Sequence, residues 1–253
     1  MPNARAWMDL AWKAAAVIVT ALVVVAAFAP AAWLGEVLHR RSALRLVHAS
    51  GTVWNGSAMI AVSDGRLARL VPGRVSWNVE WGALPAGRVE VSVRHQALDG
   101  PVRIAFERRA AKVTAGEARL PAALLEVLGA PFNTIRPGGT LHLRWDTLSL
   151  DGGGLEGRLQ ADWDNARSSL WPVGPLGRFR LTAEANGGRG QARLVTLEGP
   201  LLLAGEASLD NGRIRFTGTA DAQPEMRAGL NGLIGVLGRR TGERVALSWE
   251  LQR

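Results

Sequence analysis

Alternation of apolar and polar residues predicts β-strands through most of the chain after residue 45. Between Arg74 and Trp81 every second side chain is apolar, which gives a strand one apolar and one polar face. Val89–Val93 repeats this pattern after a break at Leu84–Gly87. The alternation recurs in further segments: Leu141–Trp145, Leu155–Trp163, Arg178–Glu184, Gln191–Leu197, Gly205–Leu209, Arg213–Thr217 and Arg244–Leu251.

Turn residues and short helical patterns complete the expected fold. Asn211-Gly212 accepts the positive φ angles of a tight turn and predicts a hairpin. Leu120–Leu128, with a proline in its first turn, and Pro224–Arg239, with an apolar stripe, are predicted helices. Because most connections are short enough for hairpins, we expect a mainly β fold. Its form is a curved antiparallel sheet or open β-roll, with the two short helices plugging an end or edge.

The amino-terminal segment has a different pattern. Ala14–Trp33 contains no charged residue and is long enough, as a helix, to cross a bilayer. Helical spacing continues through Trp33–Leu38, so a juxtamembrane helix is expected. We therefore divide the chain into residues 1–45, with a cytoplasmic tail, transmembrane helix and juxtamembrane helix, and residues 46–253, an all-β domain.

A cleavable signal peptide is the alternative interpretation of this segment, because Ala27–Ala29 and Ala29–Ala31 offer cleavage sites. The length of the apolar stretch favours an uncleaved anchor. Orientation is contested: Arg40, Arg41 and Arg45 follow the segment, and the positive-inside rule would place them in the cytoplasm.

Composition narrows the function classes. The net charge of +8 comes almost entirely from scattered arginines, so nucleic-acid binding, which needs clustered phosphate contacts, is not expected. The chain has no cysteine, which excludes disulfides, thiolate metal sites and cysteine nucleophiles. No metal or cofactor is expected.

Candidate enzyme motifs are weak. Gly152, Gly154 and Gly157 satisfy G-x-G-x-x-G, but an alternating strand follows them instead of a helix, which indicates a hairpin turn. Asp162 and Asp164 would share a strand face, and paired carboxylates can perform acid–base catalysis. They more often begin a loop, and we expect a protein that is not an enzyme.

An ordered set of Trp- and Gly-bearing phrases is the most distinctive feature. They are Gly51-Thr52-Val53-Trp54-Asn55-Gly56, Gly138–Trp145, Trp163–Leu170, Pro175-Leu176-Gly177, Thr196–Leu201 and Leu237–Arg244. In this order and spacing the chain resembles the type II secretion system protein N family (general secretion pathway protein N). The resemblance implies a single-pass bacterial inner-membrane protein with its bulk in the periplasm. Its implied partners are other secretion-system proteins, in the inner-membrane platform or the secretin.

Most of the phrase residues are expected to specify the fold, because glycines permit close approach and tryptophans fill a β core. The set is Gly51, Trp54, Gly56, Trp145, Gly177, Gly199, Pro200, Gly238 and Arg239. Trp77 and Trp81 are candidates for partner or groove contact. The alternative function is that of a lipid-binding or lipid-transport module, because the chain also resembles AsmA-like envelope proteins; both tryptophans would then line a lipid groove.

Overall fold

The computed structural model describes residues 27–41, 44–63, 68–210, 213–241 and 244–252. Within them, sixteen strands form one antiparallel sheet. The strands are β1 Leu44–Gly51, β2 Asn55–Ser63, β3 Ala68–Glu80, β4 Val89–Arg94, β5 Val102–Glu107, β6 Ala110–Val113, β7 Gly116–Pro121, β8 Pro137–Trp145, β9 Leu148–Asp151, β10 Gly154–Ser168, β11 Gly177–Asn186, β12 Arg189–Glu198, β13 Leu201–Asp210, β14 Arg213–Ala222, β15 Arg239–Thr241 and β16 Arg244–Gln252.

Nearly every strand pairs with its neighbour in sequence, so the sheet is an open up-and-down meander. Two breaks interrupt it. Thr114 and Ala115 separate β6 from β7, and Asp146 and Thr147 separate β8 from β9. On one side of the breaks β6 pairs with β9, and on the other β7 pairs with β8. The consecutive strands β6 and β7 therefore act as one long strand with a kink, and β8 and β9 act as another.

The meander gives the sheet two distinct ends. We call one the turn end, because tight connections there join β1 to β2, β5 to β6, β9 to β10 and β11 to β12. The other is the helix end, where longer connections carry helices between β7 and β8 and between β14 and β15. The connection from β3 to β4, at the turn end, contains the 3-10 helix Trp81–Ala86.

The helices differ in detail from the prediction. α1 (Ala32–Arg41) contains the segment Trp33–Leu38, for which helical spacing was predicted. Leu120 and Pro121 were assigned to a helix, but they end β7, because Pro121 has an extended backbone with φ −63° and ψ 133°. A 3-10 helix follows at Ala122–Leu128, then the short α2 (Phe132–Ile135). The predicted helix at Pro224–Arg239 is a 3-10 turn, Pro224–Met226, leading into α3 (Arg227–Leu237).

One face of the sheet is apolar and carries the core. At the helix end, Leu230, Leu233, Ile234 and Leu237 of α3 are buried against the β10–β16 part of this face, in a cluster that includes Phe179. A second cluster lies under the first strands and contains Ala31, Ala58, Val75 and Trp77. Both clusters bury apolar area that would otherwise face water. This burial is the main contribution to the stability of the fold.

The predicted mainly β fold with an open antiparallel sheet is confirmed. Gly205–Leu209 and Arg213–Thr217 pair as the predicted hairpin, whereas its turn, Asn211-Gly212, lies outside the described residues. Most of the predicted transmembrane segment, Ala14–Ala26, also lies outside them. Among the residues that are described, no helix has the length and apolar character needed to cross a bilayer.

Candidate functional site

The first phrase of the sequence, Gly51 to Gly56, forms the turn between β1 and β2. Gly51 has φ 87°, a conformation that side-chain-bearing residues rarely adopt. Gly56 is buried, and a Cβ on it would lie 2.5 Å from the ring of Trp77. Trp77 is 8% exposed, and its indole N–H donates to the Val53 carbonyl at 3.0 Å. The turn is therefore built around the Trp77 ring.

Trp54 and Trp81 stack on each other at the edge of this turn. Their ring centroids are 4.3 Å apart and the ring planes are tilted by 34°. Trp81 is 54% exposed because β3 ends at Glu80 and the chain enters the 3-10 helix at Trp81. Of the two tryptophans proposed for partner or groove contact, Trp77 therefore lies in the core and Trp81 lies at the surface.

Trp145 lies at the kink between β8 and β9. Its indole N–H donates to the Thr114 carbonyl at 2.9 Å, across the break between β6 and β7. A Cβ on the opposite residue, Gly116, would lie 2.8 Å from the Trp145 ring. Trp145 thus links the kink between β8 and β9 to the kink between β6 and β7.

Gly177, Gly199 and Pro200 lie at the helix end. Gly177 and Gly199 have φ 136° and 113°, and a Cβ on Gly177 would lie 3.1 Å from the Gly199 Cα. The carbonyl of the next residue, Pro200, accepts a hydrogen bond from the Gln223 N–H at 2.9 Å. These residues join the ends of β11, β12 and β14 through their backbones.

Gly238 and Arg239 close the connection from α3 to the last strands. Gly238 follows α3, and a Cβ on it would lie 2.9 Å from the Leu247 side chain. Arg239 begins β15, and its backbone pairs with Ala246 of β16. This pair of residues lets the helix turn directly back into the sheet.

The polar face of the sheet carries rows of ion pairs between neighbouring strands. Arginines on β8, β10, β12 and β14 each face a glutamate on an adjacent strand. The pairs are Arg144–Glu117 at 2.7 Å, Arg158–Glu184 at 3.2 Å, Arg193–Glu206 at 2.8 Å and Arg215–Glu250 at 3.4 Å. A groove of about 720 Å³ runs over this face. Its charges are largely matched within the sheet, so it presents no strong field of one sign.

Asp162 and Asp164 share this polar face, as predicted, but they lie within β10 and not at the start of a loop. Arg180 Nε donates to Asp162 at 2.6 Å, and Arg178 Nε donates to Asp164 at 2.8 Å. The hydrogen bond from Arg180 lowers the pKa of Asp162. Because a general acid or base works best with a pKa near the operating pH, this pairing is the opposite of what catalysis would need.

One other motif from the sequence can be placed. Gly152 lies in the tight turn between β9 and β10, where Asp151 pairs with Gly154, so the G-x-G-x-x-G pattern is a hairpin, as predicted. Within the described part of the chain, no group of three or more His, Asp or Glu side chains is arranged to hold a metal ion.

Comparison with protein families decides the classification. The family model described as type II secretion system (T2SS), protein N, matches residues 42–248, which is most of the chain. The chain belongs to the type II secretion system protein N family. No curated protein and no solved structure shows a significant match.

All nine phrase residues lie inside the stretch that matches protein N. The eight whose side chains or Cβ positions are described make turns, close backbone approaches or ring contacts within the chain itself. The ion-pair rows were missed by sequence reasoning. Their only signal is that each Arg and Glu falls on a polar position of an alternating strand, and that pattern does not reveal which residues face each other until the register is known.

Proposed function

We propose that this chain is a non-enzymatic, single-pass inner-membrane component of the type II secretion system. Its amino-terminal segment anchors it, and its sheet lies in the periplasm, where it assists assembly of the machine or export of folded proteins. Membership in the protein N family supports the secretion role. The arginine-paired carboxylates of the polar face support a role in binding instead of catalysis.

The observation that carries the assembly role is the free edge of β16. Residues Arg244–Ala246 pair with β15, but within the described chain Leu247–Gln252 pair only with β14. A strand with unpaired backbone groups on one side is a template for a strand from another protein. This edge is therefore the proposed docking place for a secretion-system partner.

Site-specific photocrosslinking in living cells tests this proposal. The photoreactive residue replaces Ser248, which is exposed on β16, in the full-length chain. A matched control replaces Ser208, which is also exposed but lies on β13 between two paired strands. We expect protein adducts containing secretion-system components from position 248 and few from position 208. Equal yields, or adducts lacking any secretion component, would contradict the assembly role.

Localisation and orientation need a separate test, and the cysteine-free sequence makes one available. Val173 is 76% exposed and lies at the helix end, so Val173→Cys should accept a maleimide without disturbing the fold. In spheroplasts, a membrane-impermeant maleimide should label this cysteine if the sheet is periplasmic. Labelling only after the cells are lysed would place the sheet in the cytoplasm, as the arginines after the segment suggest.

The lipid-module alternative receives less support from the structure. It assigned both Trp77 and Trp81 to an exposed groove, yet Trp77 is buried beneath the first hairpin. Only Trp81 is accessible to a ligand. Native mass spectrometry of the purified full-length protein checks this alternative, because a lipid-transport module should retain a stoichiometric lipid.

A further inference from the structure

A row of five apolar side chains, four of them exposed, crosses the turn end of the sheet. Val89 pairs with Phe106, Phe106 with Ala111, Ala111 with Leu150, and Leu150 with Leu155. Directly paired residues project from the same face of a sheet, so these five side chains form one continuous line. We call them the end row.

Exposure in the end row is unusually high for large apolar residues. Val89 is 36% exposed, Phe106 44%, Leu150 53% and Leu155 41%. Further along the same strands towards the helix end, Val91 and Ile104 are half-buried, and Val102 is 8% exposed. The end row is thus a margin of the apolar face that the described part of the chain leaves uncovered. A contiguous patch of this kind marks a contact surface more often than chance exposure does.

The amino-terminal segment joins the sheet at this same end. Ala31 N–H donates to the Gly51 carbonyl at 3.1 Å, and Val53 N–H donates to the Ala29 carbonyl at 2.9 Å. These bonds hold residues 29–31 against the turn between β1 and β2. The predicted span reached Trp33, but these residues are paired with the sheet, so a membrane helix has to end before Ala29.

Very little chain separates the proposed anchor from the turn end of the sheet. Phe28, the residue before the paired stretch, is 72% exposed. Trp54, which lies in the paired turn, stacks on Trp81, the first residue of the connection that leads to β4 and Val89. One residue spans less than about 4 Å, so a helix ending at Phe28 would hold the turn end at the bilayer surface.

We propose that the turn end of the sheet rests on the membrane, with the end row inserted at the boundary of headgroups and acyl chains. This inference rests on the anchor proposed above. The chain itself indicates the membrane as the occupant: residues 14–26 are uncharged, and residues 29–31, which follow them, are hydrogen-bonded to the turn end of the sheet. Tethering makes the contact intramolecular, so a modest apolar area suffices. Trp81 at the same end suits an interfacial position, where indole rings are enriched.

Electrostatic attraction is not the expected basis of the contact between the turn end and the membrane. Arg88, Arg108 and Arg109 are exposed in the turns of this end, but Glu80 and Glu107 are exposed there as well. The mixture gives no strong preference for anionic lipid. The apolar row supplies the expected attraction, because removing apolar surface from water is favourable.

Spin labelling of the full-length chain tests the proposal. Phe106→Cys and Leu150→Cys place a nitroxide on the end row, and Val173→Cys and Leu128→Cys, 76% and 65% exposed, place it at the helix end as controls. Each variant is reconstituted in vesicles of phosphatidylethanolamine and phosphatidylglycerol. Labels on the end row should collide several-fold more often with oxygen than with a water-soluble nickel complex, and the control labels should show the reverse.

The outcomes separate this proposal from that of the anchor. If the protein floats with the vesicles but the end-row labels are as accessible to nickel as the control at 173, the membrane contact is wrong and the anchor stands. If the protein does not float, the anchor fails and the contact with it. Spin–spin broadening between end-row labels would mean that a second copy covers the row, which also overturns the proposal. Matched urea unfolding curves show that the variants are folded.

Discussion

Gly177 and Gly199 face each other across the helix end of the sheet with almost no space between their backbones. A Cβ on Gly199 would lie 2.7 Å from the Leu176 carbonyl oxygen and 2.9 Å from the Gly177 nitrogen. Both residues have positive φ angles. This close approach lets the Leu201 N–H donate to the Leu176 carbonyl at 3.1 Å, which connects the start of β13 to the residue before β11.

We expect Gly199→Ala to destabilise the protein by about 1–3 kcal/mol, because a side chain there is strained by its φ angle and meets backbone atoms. Urea unfolding of the full-length chain, followed by tryptophan fluorescence, measures the loss. Gly174→Ala is the matched control: it lies at the same end of the sheet, in the connection between β10 and β11, with nothing within 4 Å of its Cβ position. Equal effects of the two substitutions would show that the close approach contributes little.

The Trp54–Trp81 stack makes a second prediction. Tilted aromatic pairs contribute roughly 0.5–1.5 kcal/mol beyond their burial, so the two substitutions Trp54→Leu and Trp81→Leu should be non-additive by that amount. A double-mutant cycle in urea measures the coupling. Trp54→Leu combined with Trp145→Leu, whose rings are not in contact, should be additive within about 0.5 kcal/mol. A coupling near zero for the stacked pair would mean that each ring packs independently.

Sequence pattern predicted the strands well where one face is buried. The alternation from Arg74 to Glu80 forms the second half of β3, because Val75 and Trp77 are buried in the second core cluster. It failed at Trp81, which continues the alternation but begins a 3-10 helix. Local pattern cannot tell whether a neighbouring strand is present to pair with that residue, and the strand that follows begins only at Val89.

The candidate site was less predictable, because it depends on register. Trp54 and Trp81 are far apart in sequence, and their contact follows from the pairing of β2 with β3. The partnership of Asp162 with Arg180 likewise needs β10 and β11 in register. Sequence could place both aspartates on one face but not assign their cations. A one-residue slip would have moved every partner to the opposite face.

The Asp162–Arg180 pair predicts an acid-dependent loss of stability. Arg180 donates two hydrogen bonds to Asp162, at 2.6 and 2.9 Å, and the carboxylate is only 15% exposed. The pKa of Asp162 is lowered, chiefly by this hydrogen bonding, so the folded state holds its proton less tightly than the unfolded state. The stabilisation is therefore complete above the unfolded-state pKa and is lost as the pH falls through the lower, folded-state pKa.

Asp162→Asn should lower the free energy of unfolding at neutral pH by about 1–3 kcal/mol and flatten its decline in acid. Urea titrations at several pH values measure both effects. Glu117 is the comparison, because the hydrogen bond from Arg144 also lowers its pKa but its side chain is 46% exposed. Glu117→Gln should change the profile less, since solvent screens exposed pairs. Identical profiles for Asp162→Asn and the unsubstituted protein would contradict this assignment.

Arg69 and Glu126 form an ion pair that fastens the 3-10 helix Ala122–Leu128 to β3. The Glu126 side chain is 10% exposed, whereas that of Arg69 is 44% exposed. Removing the arginine leaves a buried carboxylate without its cation. We expect Arg69→Ala to cost roughly 1–3 kcal/mol, because an unpaired buried charge keeps its desolvation penalty.

Hydrogen–deuterium exchange provides the local readout for this pair. Backbone amides of residues 122–128 should exchange faster in Arg69→Ala. In the double variant Arg69→Ala/Glu126→Gln the uncharged glutamine side chain removes the unpaired charge, so part of the protection should return. Arg193→Ala is the control, since its pair with Glu206 is 69% and 68% exposed and should contribute less than about 1 kcal/mol. If Arg69→Ala is no more destabilising than Arg193→Ala and leaves exchange at 122–128 unchanged, the ion pair does not hold this helix on the sheet.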